Sequence, residues 1–271
     1  MCACKSLVGL LLLVLAPTKA LRLFSTSRLQ SAVIDSNRRL FIQQASTAAI
    51  IAGLPQSATA DETQLVPLYF GAGCFWHVQH ELALHEALTL QRRGAQITAV
   101  SGYAGGTRLG DQNRVCYHNF KNIADYGRLG HAEVVQVSVP RSAVADFAAK
   151  YFSLFGQRGY RHDPQDRGGE YRSLIGLRDG INSDLYAEVS NAAQQSPMQL
   201  VRGVGDEEDT IAAKTVLVMD SSKFPFYPAE VYHQFHNDFQ GPPYGATYNS
   251  LNGVLVKAGY ISQTGCPENA F

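Results

Sequence analysis

The chain has 271 residues, 23 basic and 23 acidic residues, and 45% hydrophobic residues. That length suits one or two domains, and the charge balance, without basic clusters, argues against a nucleic-acid binder. Five cysteines with no CxxC spacing argue against both a disulfide scaffold and a cysteine zinc site, and no metal site is expected.

Residues 1–60 read as a multipartite leader. Lys5 precedes the run LVGLLLLVLAP, which is too short for a permanent bilayer span and has the form of a signal peptide. Residues 21–30 (LRLFSTSRLQ) lack acids, as transit segments do. Arg38 and Arg39 then precede an Ala-rich stretch ending in Ala58-Thr59-Ala60, a peptidase-cut form. This order is similar to leaders that cross plastid membranes and enter the thylakoid lumen by twin-arginine export; another organelle or a secretory compartment is the alternative. The catalytic domain is expected over 61–271, starting near Asp61, with no membrane anchor after processing. Without the leader, acidic residues outnumber basic ones by five.

The mature part is expected to form one domain. A short strand over 66–70 precedes a helix over 75–92, with Phe75, Val78, Leu82 and His85 at helical spacing. Strands follow over 96–103 and, after a glycine-bearing loop, over 133–139, where Val135, Val137 and Val139 share a face. Ser142 opens a helix carrying Val144, Phe147, Ala148, Tyr151, Phe152 and Phe155, and a strand over 171–177 completes a ferredoxin-like, split β-α-β-β-α-β core of an α+β fold. Further helices are predicted over 182–194 and 229–238, a strand over 215–219, and a long coil tail from 244 to 271.

Cys74, in FGAGCFW, falls at the first strand-to-helix junction. Helix N-termini favour thiolates, so a lowered thiol pKa is expected there, and Gly71 and Gly73 leave the sulfur approachable. Phe75 and Trp76 offer an apolar wall. Buried cysteines are common, however, and these features alone leave a packing residue and a nucleophile about equally supported.

Taken with GYAGG (102–106), GHAE (130–133), EYRS (170–173) and FYPAEVYHQ (226–234), the string GCFW resembles the A-type peptide methionine sulfoxide reductases over essentially residues 67–266. The resemblance implies thiol-dependent reduction of methionine S-sulfoxide, free or in proteins, with no bound cofactor. It implies Cys74 as nucleophile, Glu133 as proton donor, Tyr171 and Tyr117 as pocket hydroxyls, Asp166 as a supporting carboxylate, and Phe75 and Trp76 as the seat of the S-methyl group. It also implies that a Cys74 sulfenic acid is resolved by the tail residue Cys266, with Cys116 the competitor, and that thioredoxin or another dithiol recycles the enzyme. A monomer is expected. Tyr126 is the alternative to Tyr117. His77 and Gln79 stand where the family has glycine and glutamate, Glu170 where it has glutamine, and the loop between GYAGG and GHAE is enlarged.

Two other readings stand beside this one. A papain-like cysteine protease would use Cys74 with His233 and Asn249. An inactive sulfoxide-peptide binder would keep the pocket without needing a resolving thiol.

Overall fold

The computed structural model describes residues 64–268, so the leader and its cleavage point lie outside the described residues. The fold is a mixed α/β arrangement around one seven-stranded sheet. The strands are β1 (Leu65–Gly71), β2 (Val100–Ala104), β3 (Ala132–Pro140), β4 (Leu174–Leu177), β5 (Gln199–Arg202), β6 (Thr215–Asp220) and β7 (Tyr227–Pro228). The helices are α1 (Phe75–Thr89), α2 (Val144–Phe152), α3 (Tyr186–Ala193), α4 (Ala246–Asn249) and α5 (Leu251–Lys257).

The strand order is β5-β6-β4-β1-β3-β2-β7. The middle four strands pair antiparallel, with Phe70 opposite Val135 and Tyr103 opposite Glu133; β6 and β5 add on in parallel. Alternation along each strand divides the side chains between two faces. Leu68, Phe70, Val135, Val137 and Val139 join the main core with α1, α2 and α3, while Tyr69, Val134, Leu174 and Met219 pack on the other face. On α1 the buried set is Phe75, Trp76, Val78, Gln79, Leu82, Ala83 and Glu86, an i, i+3, i+4, i+7 stripe. Glu86 rather than His85 lies on it, and its carboxylate takes Arg92 at 2.8 Å and the Thr98 N–H at 2.8 Å.

Four expected elements differ. The strand expected over 96–103 begins only at Val100, behind a 3-10 turn, Gly94–Gln96. The strand expected over 171–177 begins only at Leu174, and Tyr171 ends a 3-10 turn, Gly169–Tyr171. The helix expected over 229–238 is only one 3-10 turn, Val231–His233, following strand β7 at Tyr227–Pro228. The tail is not all coil: α4 and α5 occupy 246–257, with Tyr248 and Leu255 buried in the main core. Strand β5, an edge strand with mostly exposed residues, had no expectation attached to it.

Candidate active site

The sequence motifs meet because they clasp one another. The β2–β3 register sets GYAGG beside GHAE, and His131 accepts the Gly106 N–H on Nδ1 (3.1 Å) while its Nε2 bonds Arg108 O (2.8 Å). A Cβ on Gly106 would lie 2.6 Å from the His131 ring, so the close approach requires glycine. From EYRS, buried Arg172 donates to the carbonyls of Gly169, Gly105 and Gly130 at 2.6–3.0 Å, tying all three motifs together.

Cys74 stands at the N-cap of α1. Gly73 reaches it with φ +80°, a conformation unfavourable for side-chain-bearing residues, and donates its N–H to Tyr171 O at 3.2 Å. The next two N–H groups are taken by carboxylates: Cys74 N–H by Asp166 (2.9 Å) and Phe75 N–H by Glu133 (2.8 Å). The open first turn of the helix thus gathers both acids beside the sulfur. Arg161, which the sequence reading missed, is buried and holds this ring by donating to the carbonyls of Tyr171 and Asp166 and to Asp209.

The electrostatics correct one expectation. Burial first, and then the Glu133 carboxylate, push the Cys74 thiol well above its ordinary pKa; the Trp76 and His77 N–H groups oppose this and are outweighed. Glu133 is fully enclosed, and desolvation raises its pKa to about 8 against the Phe75 N–H. A carboxyl with that pKa carries its proton at neutral pH and can donate it. Once Glu133 is neutral, its repulsion of a Cys74 thiolate disappears, so the two titrations are linked.

Both candidate tyrosines lie here, with different geometry. Tyr126 OH donates to Glu133 Oε1 at 3.1 Å and the residue is fully buried. Tyr117 stacks on Phe75 (6.3 Å between centroids) and on Tyr126 (5.7 Å) and makes no hydrogen bond to Glu133, though both Tyr117 and Tyr171 feel its charge. Phe75 and Trp76 are buried side by side; His236 (4.3 Å) and the exposed Phe239 (5.3 Å) cover the indole. Glu230, also missed, anchors the Tyr117 loop by accepting its N–H (2.8 Å) and the Tyr103 hydroxyl (2.8 Å). Its motif, FYPAEVYHQ, read as a packing helix and hid that role.

The cysteines pair in an unexpected way. Cys116 and Cys266 form a disulfide, and among the described residues Cys74 is the free thiol. The tail cysteine is therefore bonded to its competitor rather than free to swing, and Arg114 holds the same turn by donating to Gly265 O at 2.6 Å. The protease residues are not assembled. His233 has an unpartnered Nδ1 and packs tilted against Tyr117 with centroids 4.1 Å apart, and Asn249 donates to Phe235 O (2.8 Å) and to Asn237 rather than to an imidazole.

Comparison with known proteins supplies the affiliation. A family model described as peptide methionine sulfoxide reductase matches residues 67–254. The chain belongs to the peptide methionine sulfoxide reductase family. Among its relatives are the peptide methionine sulfoxide reductases MsrA of Acinetobacter baumannii (strain AYE), 32% identical over 69% of this chain and 91% of the relative, and of Trichodesmium erythraeum (strain IMS101), 28% identical over 65% and 84%. A solved structure of Mxr1 from Saccharomyces cerevisiae in reduced form aligns with a TM-score of 0.42 and 22% identity, over 63% of this chain and 82% of that one.

Two of the residues that depart from the reductase motif have distinct jobs. Gln79 is fully buried and structural: its amide donates to Ala99 O and Gln234 Oε1 at 3.0 Å, and its oxygen accepts the Phe235 N–H at 2.6 Å. Gln79→Leu takes this partner from Ala99 O and the Phe235 N–H, so a loss of at least about 2 kcal/mol in unfolding free energy is expected by urea titration. An unchanged midpoint contradicts that role. His77, two residues earlier, instead faces His162 and Asp238, and burial followed by the His162 charge lowers its pKa to about 4.

Proposed function

We propose that this member of the family reduces methionine S-sulfoxide, free or in polypeptides, through Cys74. The observation that carries this reading is the enclosed Glu133 carboxyl bonded to the N–H beside Cys74, with its pKa raised to about 8. The sulfoxide oxygen takes the Glu133 proton as Cys74 sulfur attacks the sulfoxide sulfur. The thiol proton returns to Glu133, methionine leaves, and Cys74 holds the oxygen as a sulfenic acid. Tyr171 and Tyr126 orient the oxygen, Tyr117 and Phe75 wall the pocket, Asp166 fixes the Cys74 backbone, and Phe75 with Trp76 seats the methyl group.

Cys266 condenses with the sulfenic acid, releasing water and forming a Cys74–Cys266 disulfide. Cys116 then attacks Cys266, freeing Cys74 and leaving the Cys116–Cys266 disulfide for thioredoxin or another dithiol to reduce. The observed pairing corresponds to the last state of that sequence. No cofactor is needed. The central β4-β1-β3-β2 order supports a ferredoxin-like split core, and the protein acts as a monomer. The leader points to the plastid, with the thylakoid lumen as destination; amino-terminal sequencing of the processed protein should begin near residue 61, and an intact leader overturns this.

Incubation of the purified protein with methionine sulfoxide and dithiothreitol should release methionine, and Cys74→Ser should abolish release. Binding of sulfoxide without any turnover would favour the inactive binder.

A further inference from the structure

We propose that His77, His162 and Asp238 form a binding site for a divalent transition-metal ion, of the kind that prefers imidazole and carboxylate donors, beside the reductase pocket. The cluster is built from three separate segments: α1 supplies His77, the loop before Tyr171 supplies His162, and the stretch leading to α4 supplies Asp238. Their ligand atoms all lie within 4.8 Å of one another. His162 Nε2 is 3.3 Å and His77 Nδ1 3.8 Å from the same oxygen, Asp238 Oδ2. Donors held at about 2.0–2.1 Å around a tetrahedral ion stand roughly 3.3 Å apart, so both pairs lie close to the separation shared coordination needs and reach it through a turn of the His162 ring and a small closure at His77.

The carboxylate is aimed as a ligand would be. Asp238 Oδ1 accepts the Gln240 N–H at 2.9 Å, and Tyr244 OH donates to Oδ2, so the side chain cannot turn away. Gln240 also bonds Asp163 at 2.6 Å, which fastens the Asp238 segment to the residue after His162. Outer contacts of this kind orient metal ligands. The two imidazoles are stacked face to face, with centroids 3.8 Å apart and 8° between planes. In-plane lone pairs of stacked rings do not converge, so binding turns His162, which is exposed, out of the stack while His77 stays packed. Two imidazoles and a carboxylate suit Zn²⁺, Co²⁺, Ni²⁺ or Cu²⁺ better than Mg²⁺ or Ca²⁺. The expectation of no metal rested on cysteine spacing, which says nothing about ligands 161 positions apart, as His77 and Asp238 are.

The test is a Zn²⁺ titration of the full chain, in metal-free buffer without thiols, against a chromophoric chelator. With Cys116 and Cys266 bonded to each other, Cys2, Cys4 and Cys74 are the thiols to control for, so Cys2 and Cys4 are replaced by serine in every protein titrated. One Zn²⁺ per chain is expected to bind, with affinity at least tenfold weaker in His162→Ala and in His77→Ala, and within threefold of wild type in Cys74→Ser. His162→Ala changes an exposed side chain, so its folding, checked by circular dichroism, is retained. Equal affinity in wild type and both histidine variants overturns the site. Binding lost in Cys74→Ser but kept in His162→Ala overturns it too, and assigns the ion to the nucleophile.

Discussion

Glu133→Gln is expected to lower the rate of methionine formation by about 10²–10⁴-fold, the range for removing a positioned general acid. Glutamine keeps the shape and can still accept the Phe75 N–H, so the loss isolates the proton. The wild-type rate should fall as pH rises through about 8, where Glu133 gives up its proton, and the variant's residual rate should show no such step. The sign for stability runs the same way. The folded pKa lies above the ordinary carboxylic value of 4.5, so the buried group is tolerated while protonated and destabilises as pH climbs from 4.5 through about 8. Glu133→Gln should therefore gain stability relative to wild type at pH 9 compared with pH 5, measured by thermal melting. A variant rate within tenfold of wild type contradicts the assignment.

The second large effect concerns electron counting. Fully reduced protein, given methionine sulfoxide without reductant, should release two equivalents of methionine per chain. The first turnover ends in the Cys116–Cys266 disulfide with Cys74 free, and the freed Cys74 reacts once more. Cys116→Ser should give one equivalent and trap a Cys74–Cys266 disulfide; Cys266→Ser should give one and leave Cys74 as a sulfenic acid. Both variants should lose thioredoxin-driven cycling by at least tenfold while keeping single turnovers. Peptide mapping by mass spectrometry reads the bonds. One equivalent from the wild type, as from Cys116→Ser, would remove Cys116 from the relay, and the disulfide would then be structural, closing a long loop between residues 116 and 266.

How much of this could be read from sequence follows from how local each feature is. GCFW, GHAE and EYRS carry Cys74, Glu133 and Tyr171 on short stretches whose geometry is set by one turn or one strand register, so their grouping was legible. The strand over 133–139 was legible from the alternation of Val135, Val137 and Val139, which all face the main core. The thiol's pKa was not, because the helix N-terminus is visible in sequence while the enclosure of Cys74 and the charge of Glu133 are tertiary facts. FYPAEVYHQ looked helical by composition, yet its backbone and side chains are spent elsewhere: His233 O accepts Trp76 Nε1 at 3.1 Å and the Glu230 carboxylate accepts the Tyr117 N–H at 2.8 Å. Helix α5 was hidden by Gly253 inside LNGVLVK, and only burial of Leu255 reveals it. Tyr126 displaced Tyr117 at Glu133 because Cys116 exchanges backbone bonds with Ala124 and Tyr126 (2.8 Å each), folding the enlarged loop back onto the acid. Loop closure of that kind leaves no periodic mark.

The most direct test of the central claim is an assay on separated epimers of methionine sulfoxide, with the reduced protein and no added reductant. The account predicts methionine from the S epimer alone, with the oxidation appearing first on Cys74 and no release by Cys74→Ser. Equal release from the R epimer, or release that survives Cys74→Ser, would contradict it.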